Sequence, residues 1–239
     1  MKLLFIFIFA SLVACATAQT TEQKFTPPPG DEPPDIKTMI DKGQMWLETK
    51  QTTTTGLLKD VRFLKTHEYP RFRKLIRDYA VTGKTTIITI DEPGEHLTVS
   101  GMIKDKDGKP AANALIYIYQ TSSKGWYSDN AYHISGMEGD HRHARLFGYL
   151  RTDANGKYEF ETIKPNGYPG SELPAHIHVF VEFTTVSGTQ NIGTEIQFED
   201  DPRLTTTMRE RSKNEGAHIC RVKRGADGVL RVEADLSLR

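Results

Sequence analysis

Cysteine is nearly absent from this 239-residue chain: Cys15 and Cys220 are the only two. That excludes a disulfide framework and a four-cysteine zinc site. Net charge is absent as well, since 31 Lys plus Arg balance 31 Asp plus Glu. Binding of nucleic acid by general electrostatic attraction is thereby excluded. Glycine and proline stand at 19 and 12 residues, too few for a collagen-like or proline-rich low-complexity chain. Long apolar runs are missing too. The longest, Leu3 to Ala14, falls short of the ~20 residues that cross a bilayer. No internal repeat is visible.

That first run is an address rather than a structural element. A basic Lys2, the apolar stretch and Ala16-Thr17-Ala18 have the layout of a secretory signal peptide over residues 1–18, with cleavage before Gln19. Leu12-Val13-Ala14-Cys15 also matches a bacterial lipobox, which leaves open a lipid anchor through Cys15. The expectation is export to the periplasm or the cell exterior, with membrane contact only through such an anchor. Residues 19–35, with Pro27-Pro28-Pro29-Gly30 and Pro33-Pro34, read as an extended tether.

Apolar residues then recur at helical spacing over 36–82. Ile36, Ile40 and Leu47 mark one helix, and Leu57, Leu58, Val61 and Leu64 a second. Pro70 is expected to end or kink that second helix, and Phe72, Leu75, Ile76 and Tyr79 form a third. The cluster Arg71, Arg73, Lys74 and Arg77 reads as a solvated helix face. These helices either cap a site or make a dimer contact, so monomer and homodimer both stay open.

From about residue 83 the period becomes two. Strands are expected at Leu97–Gly101, Asn113–Gln120, Phe147–Thr152, Lys157–Thr162, Ala175–Thr185, Asn191–Phe198 and Val229–Leu236. Asp107-Gly108 marks a turn, and Asn155-Gly156 predicts a hairpin between its flanking strands. The fold class is mainly β: an antiparallel β-sandwich over 83–239 with a small helical segment before it.

The strongest chemical signal is Pro174-Ala175-His176-Ile177-His178. On a strand, residues i and i+2 share a face, so His176 and His178 project together and can converge on a metal. Read alone, the pair is equally an ordinary pair of hydrogen-bonded histidines. Tyr127, in Gly125-Trp126-Tyr127, and Tyr168, in Gly167-Tyr168-Pro169, read alone as a loop aromatic and a packing residue. His141-Arg142-His143 reads as a solvated loop.

Together these segments resemble the intradiol ring-cleavage dioxygenases, the family of catechol 1,2-dioxygenase and protocatechuate 3,4-dioxygenase. The resemblance extends over roughly Leu97 to Phe198. It implies a transthyretin-like sandwich holding non-haem Fe(III) through Tyr127, Tyr168, His176 and His178. Tyr168 would be the catalytic ligand that yields to substrate. The implied partners are a catechol and O2, and the implied product is a muconate-type diacid. Two positions bear on the substrate. Leu173 stands where the family commonly has an arginine, so Arg142, Arg145 or Arg203 is a candidate to replace it. Glu195, like Arg145, is a candidate substrate contact, and a carboxylate there disfavours an acidic substrate such as protocatechuate unless a cation pairs with it. The alternatives are an exported sandwich that only binds, as transthyretin-like and adhesin-type modules do without metal, or a relative that holds iron or catechol without efficient turnover.

Overall fold

The computed structural model describes residues 32–128, 144–186 and 188–238. The stretch expected to be a signal peptide, with Cys15, most of the expected tether, and the His141-Arg142-His143 cluster lie outside the described residues. The helical segment comprises α1 (Pro34–Glu48), α2 (Thr54–Lys59), a 3-10 turn (Val61–Thr66) and α3 (Pro70–Asp78). Eight strands follow: β1 (Val81–Thr82), β2 (Lys84–Thr86), β3 (His96–Lys104), β4 (Leu115–Gln120), β5 (Leu146–Arg151), β6 (Lys157–Ile163), β7 (His176–Thr185) and β8 (Gly188–Phe198). After α4 (Thr206–Asn214) come the short strands β9 (His218–Cys220), β10 (Lys223–Arg224), β11 (Leu230–Glu233) and β12 (Leu236–Ser237).

Prolines begin helices here rather than end them. Pro34 opens α1 inside the stretch expected to be tether, and Pro70 opens α3 instead of terminating a helix. A first-turn N–H has no intrahelical partner, so proline loses nothing there and its fixed φ suits the helix. The second apolar stripe does not make one helix. The Asp60 carboxylate accepts the Arg62 N–H at 3.0 Å and starts the 3-10 turn, which leaves Val61 exposed.

Two sheets face each other, ordered β1-β5-β4-β7-β8-β9 and β10-β11-β3-β6-β2, with β12 beside β3. The central pairs β5·β4, β4·β7, β7·β8 and β3·β6 are antiparallel, as the sandwich reading requires. Peripheral pairs such as β1·β5 and β8·β9 are parallel. The expected hairpin at Asn155-Gly156 is not one: β5 pairs with β4 in the first sheet, and β6 pairs with β3 in the second. The turn itself is tight. Asp153 Oδ1 accepts the N–H groups of Asn155 and Lys157, both at 2.8 Å, and Gly156 takes φ 73°. Asp105 accepts from Asp107 and Lys109 in the same way. Both turns carry the chain across the core from one sheet to the other.

Alternation along the strands of the first sheet creates two cores. Ile116, Ile118, Leu146, Leu150, Ile177 and Val179 point into the sandwich. Tyr119 and Phe147 project from the opposite face and are buried beneath the helical segment with Ile40, Leu58, Phe63, Phe72 and Ile76. The helices therefore form a third layer on the outer face of that sheet. Arg73 is not part of a solvated face. Its guanidinium sits 3.8 Å from the Phe147 ring centroid and donates to Ala144 O at 2.8 Å, His67 O at 3.2 Å and Tyr117 Oη at 2.5 Å. Arg71 pairs with Glu32 and Asp41.

Two outcomes are expected for the helical layer. Phe147→Ala should cost about 3–5 kcal/mol in urea denaturation, because the ring is fully buried between Phe72, His67 and Tyr149. A cost below about 1 kcal/mol would mean that the ring is not in the core. His67 is buried, and burial first, then the Arg73 and Arg145 charges, lower its pKa to about 4. The unfolded chain then binds a proton that the native state refuses. Stability from this group is therefore present above the ordinary histidine range and is lost as pH falls from about 6.5 towards about 4. Denaturation midpoints across that window should drop in the native chain and drop less in His67→Phe.

Candidate metal centre

Strand β7 supplies two of the four converging side chains. Ile177 and Val179 occupy the sandwich core, so alternation sends His176 and His178 to the outer face. The His176 ring is oriented by its Nδ1, 2.7 Å from Pro174 O. The His178 ring stacks on Tyr119 with centroids 4.4 Å apart. The start of the strand is pinned by Asp201, whose Oδ2 accepts the Ala175 N–H at 2.7 Å.

The tyrosines come from two loops that are clasped together. Tyr127 follows β4, and Tyr168 lies between β6 and β7. Thr121 Oγ1 donates to Asn166 O at 2.6 Å, and Asn166 N–H donates to Ser122 O at 3.2 Å. Beneath this clasp, Gln120 Nε2 donates to Ile163 O at 2.9 Å and Thr162 Oγ1 donates to Gln120 Oε1 at 2.8 Å. Gly125 makes the approach possible: its φ is 83°, and a Cβ there would overlap Gly167 O. On the helical side, Arg145 N–H donates to Tyr127 O at 2.7 Å and Ser128 Oγ donates to Glu68.

The four functional atoms form a closed ring. Tyr127 Oη lies 2.6 Å from Tyr168 Oη and 2.8 Å from His178 Nε2. His176 Nε2 lies 3.1 Å from Tyr168 Oη and 3.1 Å from His178 Nε2. The donor chemistry fits a cation. Nδ1 of His176 faces a carbonyl, so it carries the proton and Nε2 carries the lone pair. Nδ1 of His178 faces the Glu195 carboxylate at 3.7 Å, which favours the same tautomer. Two bare Nε2 lone pairs at this distance repel unless a positive charge lies between them. Separations near 3 Å also suit neighbouring ligands of one ion bound at about 2.0–2.2 Å. Without an ion, burial and the adjacent Tyr168 hold the Tyr127 phenol well above the usual tyrosine range.

Glu195 belongs to the rim of this ring. It pairs with His178 across the β7·β8 ladder, and its Oε1 is 3.9 Å from His176 Nε2. His176, His178 and Glu195 alone form a cluster able to hold a metal, but Glu195 approaches the Nδ1 side of His178 and the tyrosines approach the Nε2 side. The four-atom ring is therefore the better-matched donor set. Arg145, a candidate substrate contact, instead forms a two-pronged, largely buried ion pair with Glu92. Arg203 lies beside Gly167 and donates to Asn166 Oδ1 at 3.4 Å. Leu173 packs against the helical-side core. The pattern of the sequence did not single out Tyr119 or the Thr121–Asn166 clasp. Tyr119, two residues ahead of Thr121 on an alternating strand, was the one with a readable signal.

The family model described as "Dioxygenase" matches residues 68–233. Catechol 1,2-dioxygenase 1 of Acinetobacter lwoffii is 31% identical over 133 residues, which cover 49% of this chain and 40% of that protein. The protocatechuate 3,4-dioxygenase beta chain of Burkholderia cepacia is 34% identical over 117 residues, 46% of this chain and 48% of that one. The chain thus spans less than half the length of these two curated relatives. In fold it is similar to catechol 1,2-dioxygenase from Acinetobacter sp. ADP1, with TM-score 0.50 and 20% identity over 85% of this chain and 70% of that one. The matched segment takes in more than half of the sequence, from the end of the 3-10 turn through both sheets, and carries all four side chains of the ring; this chain belongs to the intradiol ring-cleavage dioxygenase family.

Proposed function

We propose that the protein is a ferric intradiol dioxygenase that opens a catechol-type ring between its two hydroxyl-bearing carbons, both atoms of O2 entering a muconate-type diacid. The observation that carries this reading is the ring of two phenol oxygens and two imidazole Nε2 atoms, each within 3.1 Å of its neighbours in the ring. Tyr127, Tyr168, His176 and His178 would hold the ion. When bound, Fe(III) supplies Lewis acidity that stabilises phenolates over phenols and makes a doubly deprotonated diol reactive towards O2. Hard anionic oxygen ligands suit a ferric rather than a soft or ferrous centre.

The remaining work falls to the chain itself. Tyr168 Oη, reached from both Tyr127 and His176, is the group that accepts a proton from the incoming diol. Tyr127 stays in place, held through its backbone to Arg145 and through Ser128 to Glu68. Stacking on Tyr119 keeps the His178 ring from turning. The helical layer covers the outer face of the sheet beside the ring and limits water there.

The leader also belongs to this reading. Among the described residues no helix is long and apolar enough to cross a membrane, and the run from Leu3 to Ala14 supports an exported enzyme meeting catechols outside the cytoplasm. The mass of protein recovered after expression in a secretion-competent bacterium tests this. Chains starting at Gln19 or at a lipid-modified Cys15 are expected, and chains retaining Met1 would contradict it.

Purified protein loaded with Fe(III) should bind close to one ion per chain, show a visible phenolate-to-metal absorption, and consume catechol with equimolar O2. His178→Ala should bind iron weakly, read as metal content after gel filtration. Tyr168→Phe should keep its melting temperature and lose at least about 10²-fold in turnover, by removal of a group acting at the reacting centre. A colourless chain that takes up no iron, or normal turnover by Tyr168→Phe, would overturn the assignment.

A further inference from the structure

Glu195 is a carboxylate at the rim of the proposed ferric site, and no lysine or arginine among the described residues stands beside it. Its Oε1 lies 3.7 Å from His178 Nδ1 and 3.9 Å from His176 Nε2, and its Oε2 accepts from Gln197 Nε2 at 3.1 Å. Among the described residues neither lysine nor arginine pairs with it. Arg145 is committed to Glu92, Arg203 rests beside the Tyr168 loop against Asn166, and Leu173 contributes only packing. If both histidines act as neutral ligands, they offer the carboxylate no formal positive charge.

A second acceptor stands next to it. Gln197 follows two residues along β8 on the same face and pairs with His176 in the ladder. It is buried, and while its Nε2 serves Glu195, its Oε1 has no hydrogen-bond donor. An orphaned buried carbonyl oxygen beside a carboxylate that no described lysine or arginine pairs with is a site short of hydrogen-bond donors. Glu195 is about one-third exposed, so a ligand entering from solvent can reach it.

We propose that Glu195 and Gln197 select the ring substituent of the substrate, favouring catechols that are uncharged or that carry a hydrogen-bond donor or an ammonium group, and rejecting carboxylated ones. The proposal rests on the ferric dioxygenase reading above and assigns its substrate class. A catechol held among Tyr127, Tyr168, His176 and His178 would lie beside Glu195, whose carboxylate is 3.7 Å from the His178 ring. In that position a second carboxylate meets like charge in a partly desolvated site. An aminoalkyl group there meets the carboxylate and the orphaned carbonyl together.

Iron-loaded protein and Glu195→Gln should be titrated without O2 with catechol, dopamine and protocatechuate, following the shift of the visible band. The same compounds should then be compared by kcat/KM. In the native chain protocatechuate is expected to bind and react at least about tenfold more weakly than catechol, with dopamine at or above catechol, as like-charge and opposite-charge contacts dictate. In Glu195→Gln the three should fall within about threefold of one another, since the amide is nearly isosteric and uncharged. Protocatechuate handled as well as catechol by the native chain would overturn the proposal, as would an unchanged order in the variant. Failure of all three compounds to bind or react would instead overturn the dioxygenase reading, and the substrate assignment with it.

Discussion

Two imidazole Nε2 atoms lie 3.1 Å apart on the outer face of a sheet, closed into a ring by two phenols. Much of the surrounding structure serves to hold that arrangement. The histidines are placed by the alternation of β7, whose other residues are locked into the sandwich. Pro174 O accepts from the far nitrogen of the His176 ring, and the Glu195 carboxylate faces the far nitrogen of His178. The phenols are brought in by two loops whose main chains meet where Gly125 has no side chain. Such preorganisation is what a metal site needs, since ligands left free would relax apart.

Placing the site on an outer face creates a second requirement. That face is aromatic and cannot remain bare, so the helical segment covers it. The cover is also the brace. Arg73 lies over Phe147 and donates to Ala144 O, next to Arg145, whose own N–H holds the Tyr127 carbonyl. A half-buried guanidinium is tolerated here because carbonyls, a phenol and an aromatic face replace part of its water. Folding of the helices and placement of Tyr127 are therefore coupled, and damage to the layer should reach the candidate metal centre without touching any of its four side chains.

Several features were misread from sequence for the same reason: a local signal met a non-local pairing. Asn155-Gly156 does form a tight turn, yet the strands on either side pair with β4 and β3 in opposite sheets. Pro70 starts a helix because the turn before it has already ended. Arg73 looks like its solvated neighbours until Phe147 and Tyr117 arrive from the sheet. Helix α4 and the short strands β9 and β10 carry too little apolar periodicity to be read.

By itself the sequence determined the sandwich class, the strand that carries both histidines, and the family to which the four ring residues point. Two-residue alternation and short motifs are local properties, and they survive any arrangement of the rest. Only the tertiary structure decided that the tyrosine loops clasp, that neighbouring donor atoms close within 3.1 Å, that Arg145 pairs with Glu92, and that no described lysine or arginine pairs with Glu195. Those facts depend on which distant segments meet, and hydrogen-bond partners and charge neighbours are set by that meeting rather than by spacing along the chain.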